Sequence, residues 1–347
     1  GDGNRRSHQA PAGGRQQPDR SFPMLCVSIG VAAAAAAASP AALPPERSFD
    51  AGRAHLFYKM AASSYCPAPD VLAWDCPPCR ATNVTAAVAP RIFTEVLTGA
   101  SGFVGAFGAG GHTLVLSFRG SENLQNWVEN LKIAKTDRNM SCAGCKVHSG
   151  FFDCWRSLST PMVGELRALR ASRPLAEVFV TGHSLGAAIA MIAAYELEYE
   201  EGIPVAGVYT FGQPRVGNAA FQAFCNAHAP RRTWRLTHWR DPVPHLPLRS
   251  MGFAHVGTEV WWDERWRSGR VCDGSGEDAT CADSFGYIGL DFSIYDHLHY
   301  FNELIGDGAC FPGPNATLRG PGRPPGAMDA PGQAGAQIGT VESTAAA

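Results

Sequence analysis

Between residues 46 and 311 the hydrophobic positions alternate between two periods. Ala54, Leu56, Phe57, Met60 and Ala61 fall at helical spacing and predict a helix over 49–65. Ile92–Leu97, Phe103–Phe107 and Thr113–Phe118 are short apolar or alternating runs split by glycine-rich turns, the pattern of strands. Residues 150–172 return to helical spacing, and Val178, Phe179 and Val180 form a β-branched and aromatic run suited to a buried parallel strand. Strong helix formers fill 187–197. Strands over 205–211, 233–237 and 256–262, with a helix over 219–227, complete the series. Strands alternating with helices predict an α/β fold: a mostly parallel central sheet with helices on both faces.

The junction at Thr181-Gly182-His183-Ser184-Leu185-Gly186 carries the candidate chemistry. Gly-x-Ser-x-Gly between a strand and a helix fits a sharp turn that pushes the serine out at the strand's carboxyl end. The glycines are required where a Cβ would collide, and Ala187 and Ala188 let the helix close on the strand. The helix N-terminus above Ser184 favours developing negative charge.

Directly after Ser121, Leu124, Trp127, Val128 and Leu131 stand at i, i+3, i+4 and i+7, with polar residues between them, which predicts a short amphipathic helix. Met24 opens a short apolar stretch and an alanine run to Ala38, behind Arg15 and Arg20; small residues follow up to Ala42. That is the form of a secretory signal peptide over about 24–42, within a leader covering 1–45. Residues 312–347, rich in Gly, Pro and Ala, predict an unstructured tail, which leaves 46–311 as one domain. Sequons at Asn83, Asn139 and Asn315 agree with secretion. A net charge of -2 gives no electrostatic reason to expect nucleic acid. Eleven cysteines are compatible with either zinc or disulfides.

A serine nucleophile needs a base, and the base an orienting carboxylate. In this architecture they follow the serine in the order acid, then histidine. Asp241 follows a predicted strand in a loop stiffened by Pro242 and Pro244. Downstream, His297 lies in Asp296-His297-Leu298 at the start of the last predicted helix, with His245 and His255 as rival bases.

Six motifs in order resemble the filamentous-fungal triacylglycerol lipase family, also called lipase class 3. They are Leu116-Ser117-Phe118-Arg119-Gly120-Ser121, Val147-His148-Ser149-Gly150-Phe151, the elbow from Gly182 to Gly186, Phe211-Gly212-Gln213-Pro214-Arg215-Val216-Gly217-Asn218, His238 through Pro247, and Asp296-His297-Leu298. The resemblance spans about 50–310 and implies an α/β-hydrolase fold. It implies Ser184 as nucleophile, Asp241 as acid, His297 as base, and Leu185 and Ser121 as oxyanion donors. The segment carrying Leu124, Trp127, Val128 and Leu131 becomes a hinged lid, and the cysteines pair as Cys66/Cys310, Cys76/Cys79 and Cys272/Cys281, with Cys142/Cys145 a fourth pair. The implied activity is hydrolysis of acylglycerols at an oil-water or membrane interface by a secreted enzyme, with no metal, cofactor or obligate protein partner. Feruloyl esterase, phospholipase and a non-catalytic lipid-binding relative are the alternatives. Ala187 and Ala188 depart from the Gly-Ala that many relatives carry after the elbow.

Overall fold

The computed structural model describes residues 48–311 except 122, 124–133, 138–139, 229–231 and 286–292, together with the backbone of 340–343. The expected signal peptide, the lid residues Leu124, Trp127, Val128 and Leu131, and the sequons at Asn139 and Asn315 lie outside the described residues. Asn83 is described, and its side chain is exposed.

Among the described residues, nine strands form one sheet whose spatial order follows the chain. They are β1 (Ala86–Thr94), β2 (Ser101–Phe107), β3 (Thr113–Phe118), β4 (Glu177–His183), β5 (Gly207–Phe211), β6 (Thr233–His238), β7 (Glu259–Trp262), β8 (Ser268–Val271) and β9 (Thr340–Ser343). β1 to β3 are antiparallel, β3 to β7 run parallel, β8 is antiparallel to β7, and β9 is parallel to β8. The mostly parallel sheet is therefore present, with an antiparallel entry hairpin. β9 falls in the Gly/Pro/Ala-rich stretch, at the β-branched Thr340 and Val341.

Parallel neighbours need long crossovers, which helices supply. Ser149–Ser172 (α2) joins β3 to β4, Leu185–Tyr195 (α3) joins β4 to β5, and Ala219–His228 (α4) joins β5 to β6. The Nδ1 of His148 caps α2 by accepting from Phe151 N–H at 3.3 Å.

The two-residue period of the strands sorts their side chains into two cores. Leu114, Leu116, Val178, Val180 and Val208 pack with Trp155, Met162, Leu166, Ile189 and Ile192 of α2 and α3. Val115, Phe179, Tyr209, Phe211 and Leu236 point the other way, onto Phe57, Met60 and Ala61 of helix α1 (Ala51–Ser63). From Gly186 to Tyr195 every residue of α3 is buried, which explains its uniformly apolar sequence. Each large side chain so buried contributes about 1.5–3 kcal/mol.

Helix α1 also grips the end of the domain. Its Tyr58 donates to Glu303 O at 2.8 Å, His55 Nε2 lies 2.9 Å from Glu303 Oε1, and Lys59 pairs with the other carboxylate oxygen. The disulfide between Cys66 and Cys310 closes the same junction across 244 residues. Cys76–Cys79, Cys142–Cys145 and Cys272–Cys281 are also bonded, while Cys154 and Cys225 are free and buried. Among the described residues, Cys272, Asp278 and Cys281 form the one grouping with metal-ligand spacing, and its two sulfurs are bonded to each other. No helix among the described residues is long and apolar enough to cross a membrane.

Candidate active site

At the carboxyl end of β4 the chain turns directly into α3, with Ser184 between them at φ 58°, ψ -127°. This is a strained conformation for a residue with a side chain. The turn is possible because its glycines let backbones touch. A Cβ on Gly182 would lie 2.3 Å from Gly186 O, and one on Gly186 would lie 2.2 Å from Phe118 O. Ser184 N–H donates to Phe211 O at 3.0 Å, which fixes the elbow to the end of β5.

Asp241 leaves the end of β6 in the Asp-Pro-Val-Pro loop and is buried. His297 sits in a single helical turn, Ile294–Leu298, that Ser293 caps by accepting from Asp296 N–H at 3.2 Å. His297 therefore lies late in this helix, not at its start. Its Nδ1 is 2.8 Å from both carboxylate oxygens of Asp241. Val243 N–H donates to Oδ1 at 2.8 Å and Tyr300 O–H to Oδ2 at 2.6 Å. Burial works against the charge on Asp241, but His297, Tyr300 and Val243 N–H outweigh it and hold its pKa below the usual aspartate range. With Nδ1–H turned to the carboxylate, the other ring nitrogen of His297 is left as the basic one.

The rival histidines lie elsewhere. His255 Nε2 faces Pro244 O at 2.7 Å, and His245 Nδ1 stands 3.8 Å from Asp283. His299 is buried in the two-residue strand His299–Tyr300, since the helix stops at Leu298. Ser184 Oγ and His297 Nε2 are both buried, and neither has a hydrogen-bond partner among the described residues. Leu185, the first residue of α3, has no intrahelical acceptor for its N–H. Ser121 follows Gly120, whose Cα is so near the elbow that a Cβ there would lie 3.0 Å from Ser184 Cβ.

The motif around Gln213-Pro214-Arg215 acts on the acid's loop. Buried Arg215 binds Glu277 at 2.8 Å through both Nε and Nη2 and donates through Nη1 to His245 O at 2.7 Å. Its N–H reaches Leu246 O at 2.7 Å, so one arginine holds the segment after Asp241 to the Cys272–Cys281 loop. Tyr300 and Arg215 are support residues that no spacing rule singles out. The available signals are the place of Arg215 in one of the six motifs and the proximity of Tyr300 to His297 in sequence. A cavity of about 310 Å³ lies behind Tyr65, Arg119 and Phe311, and Ser184 does not line it.

The lipase (class 3) family model matches residues 115–251. A lipase of Rhizomucor miehei is 34% identical over 259 residues, covering 72% of this chain and 68% of that protein. The chain belongs to the lipase (class 3) family. Another relative of this class 3 chain, the secreted mono- and diacylglycerol lipase A of Penicillium cyclopium, is 38% identical over 190 residues, 54% of this chain. The match spans 59% of that relative's length. Among solved structures, a triacylglycerol lipase described as having a serine protease triad at its catalytic centre superposes with a TM-score of 0.65. It is 30% identical, and the match covers 74% of this class 3 chain and 95% of that one.

Proposed function

We propose that this chain is a secreted serine carboxylester hydrolase that acts on acylglycerols at a lipid-water interface. The observation that carries the reading is the Asp241–His297 pair at 2.8 Å, with His297 Nε2 and Ser184 Oγ both buried and lacking partners among the described residues. A buried acceptor and a buried hydroxyl left unsatisfied beside a strained turn are costly, and such cost is typical of a reaction centre.

His297 Nε2 takes the Ser184 proton as Oγ attacks the ester carbonyl carbon. The oxyanion is received by Leu185 N–H and by Ser121, at the amino end of α3. Collapse of the tetrahedral intermediate breaks the bond to the alkoxy group, which leaves with the proton from His297. Water then attacks the acyl-enzyme, giving its proton to His297, and Ser184 recovers a proton as the fatty acid departs. Asp241 stabilises the imidazolium in both halves. The steps use side chains and backbone of this chain alone.

Acylglycerol preference is supported by the similarity to the Penicillium mono- and diacylglycerol lipase and to the triacylglycerol lipase of known structure, and by the apolar positions Leu124, Trp127, Val128 and Leu131. Their spacing in the sequence is that of one apolar helix face, which suits contact with a lipid surface. Secretion agrees with the leader and with the name of the Penicillium relative.

The test is labelling with an organophosphonate, followed by turnover on triacylglycerol, diacylglycerol, phospholipid and methyl ferulate. Covalent labelling that is lost in Ser184→Ala and glyceride turnover at least tenfold above the other esters are expected. An unlabelled wild-type protein would end the hydrolase reading. Faster turnover of phospholipid or ferulate would end the acylglycerol assignment.

A further inference from the structure

Two histidines hold consecutive carbonyls of the segment that carries the base. His238 Nδ1, at the end of β6, lies 2.9 Å from Asp296 O, and His183 Nε2, at the end of β4, lies 2.9 Å from His297 O. His183 is the variable residue of the Gly-x-Ser-x-Gly elbow, a position for which the pattern asks nothing. Its other nitrogen, Nδ1, is 2.7 Å from the phenol oxygen of Tyr65.

The direction of each bond follows from the inventory of donors. His297 O can only accept, so Nε2 of the neutral ring carries the proton and Tyr65 O–H donates to Nδ1. The chain of bonds runs from Tyr65, through His183, to the main chain of His297. Space leaves no slack in it. A Cβ on Gly120 would lie 2.1 Å from Tyr65 Oη and 2.7 Å from His183 O. The rings of His183 and His297 are 4.4 Å apart between centroids. Tyr65 is fixed in turn by the next residue, Cys66, through its bond to Cys310.

We propose that Tyr65 and His183 are positioning residues that set the oxyanion loop and the base relative to each other by locking His183 in its Nε2–H tautomer. The proposal rests on the hydrolase reading above. Tautomer control matters because an Nδ1–H ring would turn a lone pair toward His297 O, replacing attraction by repulsion one residue's backbone away from the base. Burial pushes the His183 pKa down to about 3, helped by His297, so the ring stays neutral while the nearby base cycles through its charged form.

The experiment joins nitrogen-15 NMR of the histidine side chains with kinetics on p-nitrophenyl butyrate below its solubility limit. In the wild type, His183 is expected to show an unprotonated Nδ1 and a protonated Nε2 at neutral pH. Tyr65→Phe should disturb that pattern and lower kcat about 10- to 100-fold, the scale of small misplacements in an active site, with KM changed less than about twofold. His183→Gln can accept from Tyr65 and donate to His297 O, so it should keep more kcat than His183→Leu. A wild-type Nδ1 carrying the proton, an unchanged kcat in Tyr65→Phe, or a Gln variant no better than Leu would each overturn the proposal. Wild-type protein that leaves the ester intact would instead count against the hydrolase reading, and the NMR result would still judge the tautomer.

Discussion

Gly212 and His297 meet at a separation that excludes a side chain: a Cβ on Gly212 would stand 2.7 Å from His297 Cε1 and 2.8 Å from Asp241 Oδ2. The glycine also has φ +57°, in the left-handed region. Phe211-Gly212 thus serves the site twice, since Phe211 O receives Ser184 N–H while Gly212 makes room for the acid–base pair.

Gly212→Ala should therefore displace the His297 ring. We expect kcat on a soluble ester to fall about 100-fold or more, as misplacement by roughly 1 Å does elsewhere. The melting temperature should fall as well. Kinetics of the purified variant, alongside its circular dichroism, check this.

Tyr300 donates the shortest bond that Asp241 receives. Tyr300→Phe removes it, and hydrogen bonds to a charged group are worth about 1.5–3 kcal/mol. Asp241 is ionised in the working enzyme with its pKa held low, so losing a donor raises that pKa. Activity should then be lost at a higher pH on acidification than in the wild type. The acid limb of kcat/KM against pH measures the shift.

Asp296, beside the base, has its carboxyl pushed up to about 6 by burial, with Asp241 and Glu264 adding to the effect and His238 and Arg240 N–H opposing it. In the unfolded chain an aspartate titrates near about 3.9. The native state therefore binds the proton more tightly, and the associated stability is present below about pH 4 and lost as pH rises through about 6. Asp296→Asn lacks this loss. Relative to wild type the variant should gain up to about 3 kcal/mol between pH 4 and pH 7, at about 1.4 kcal/mol per pH unit. Urea unfolding at a series of pH values reads it directly.

The disulfides are unequal. Cys66–Cys310 spans 244 residues, whereas Cys76–Cys79 spans 3. Loop-closure entropy assigns the first about 5 kcal/mol and the second under about 2 kcal/mol. Replacing each pair by alanine and comparing denaturation midpoints should rank them in that order, and the long-range variant should also lose activity because Tyr65 adjoins Cys66.

Much of this was legible in the chain. The strands 113–118, 177–183 and 207–211 announce themselves because both faces of a parallel strand are covered, so Leu114, Val115, Leu116, Val178, Phe179, Val180 and Val208 form apolar runs at their centres. The first strand was misjudged at both ends: Ile92–Leu97 was expected, but β1 covers Ala86–Thr94. Alanines and Pro90 have poor strand propensity, and an edge position tolerates them, while Val96 and Leu97 are exposed in the following turn. Asp241 and His297 were reached because chain order and a family pattern restrict the choices, and the coordinates bring the two into contact. His183 and Gly212 fall inside the six motifs with no role attached to them, and Tyr65 and Tyr300 are not singled out at all. They contribute through hydrogen bonds or through absent volume, and neither leaves a periodic trace.

The sheet adds its strands in the order in which they are synthesised, so most of it can assemble as the polypeptide leaves the ribosome. Helix α1 is an exception: it emerges first, yet its anchors, Glu303 and Cys310, emerge some 250 residues later. Phe57 can already pack on Phe179 and Tyr209, but until then the helix lacks its ties to the end of the domain. The nucleophile of the proposed mechanism, Ser184, is thus made well before His297, the residue proposed to take its proton.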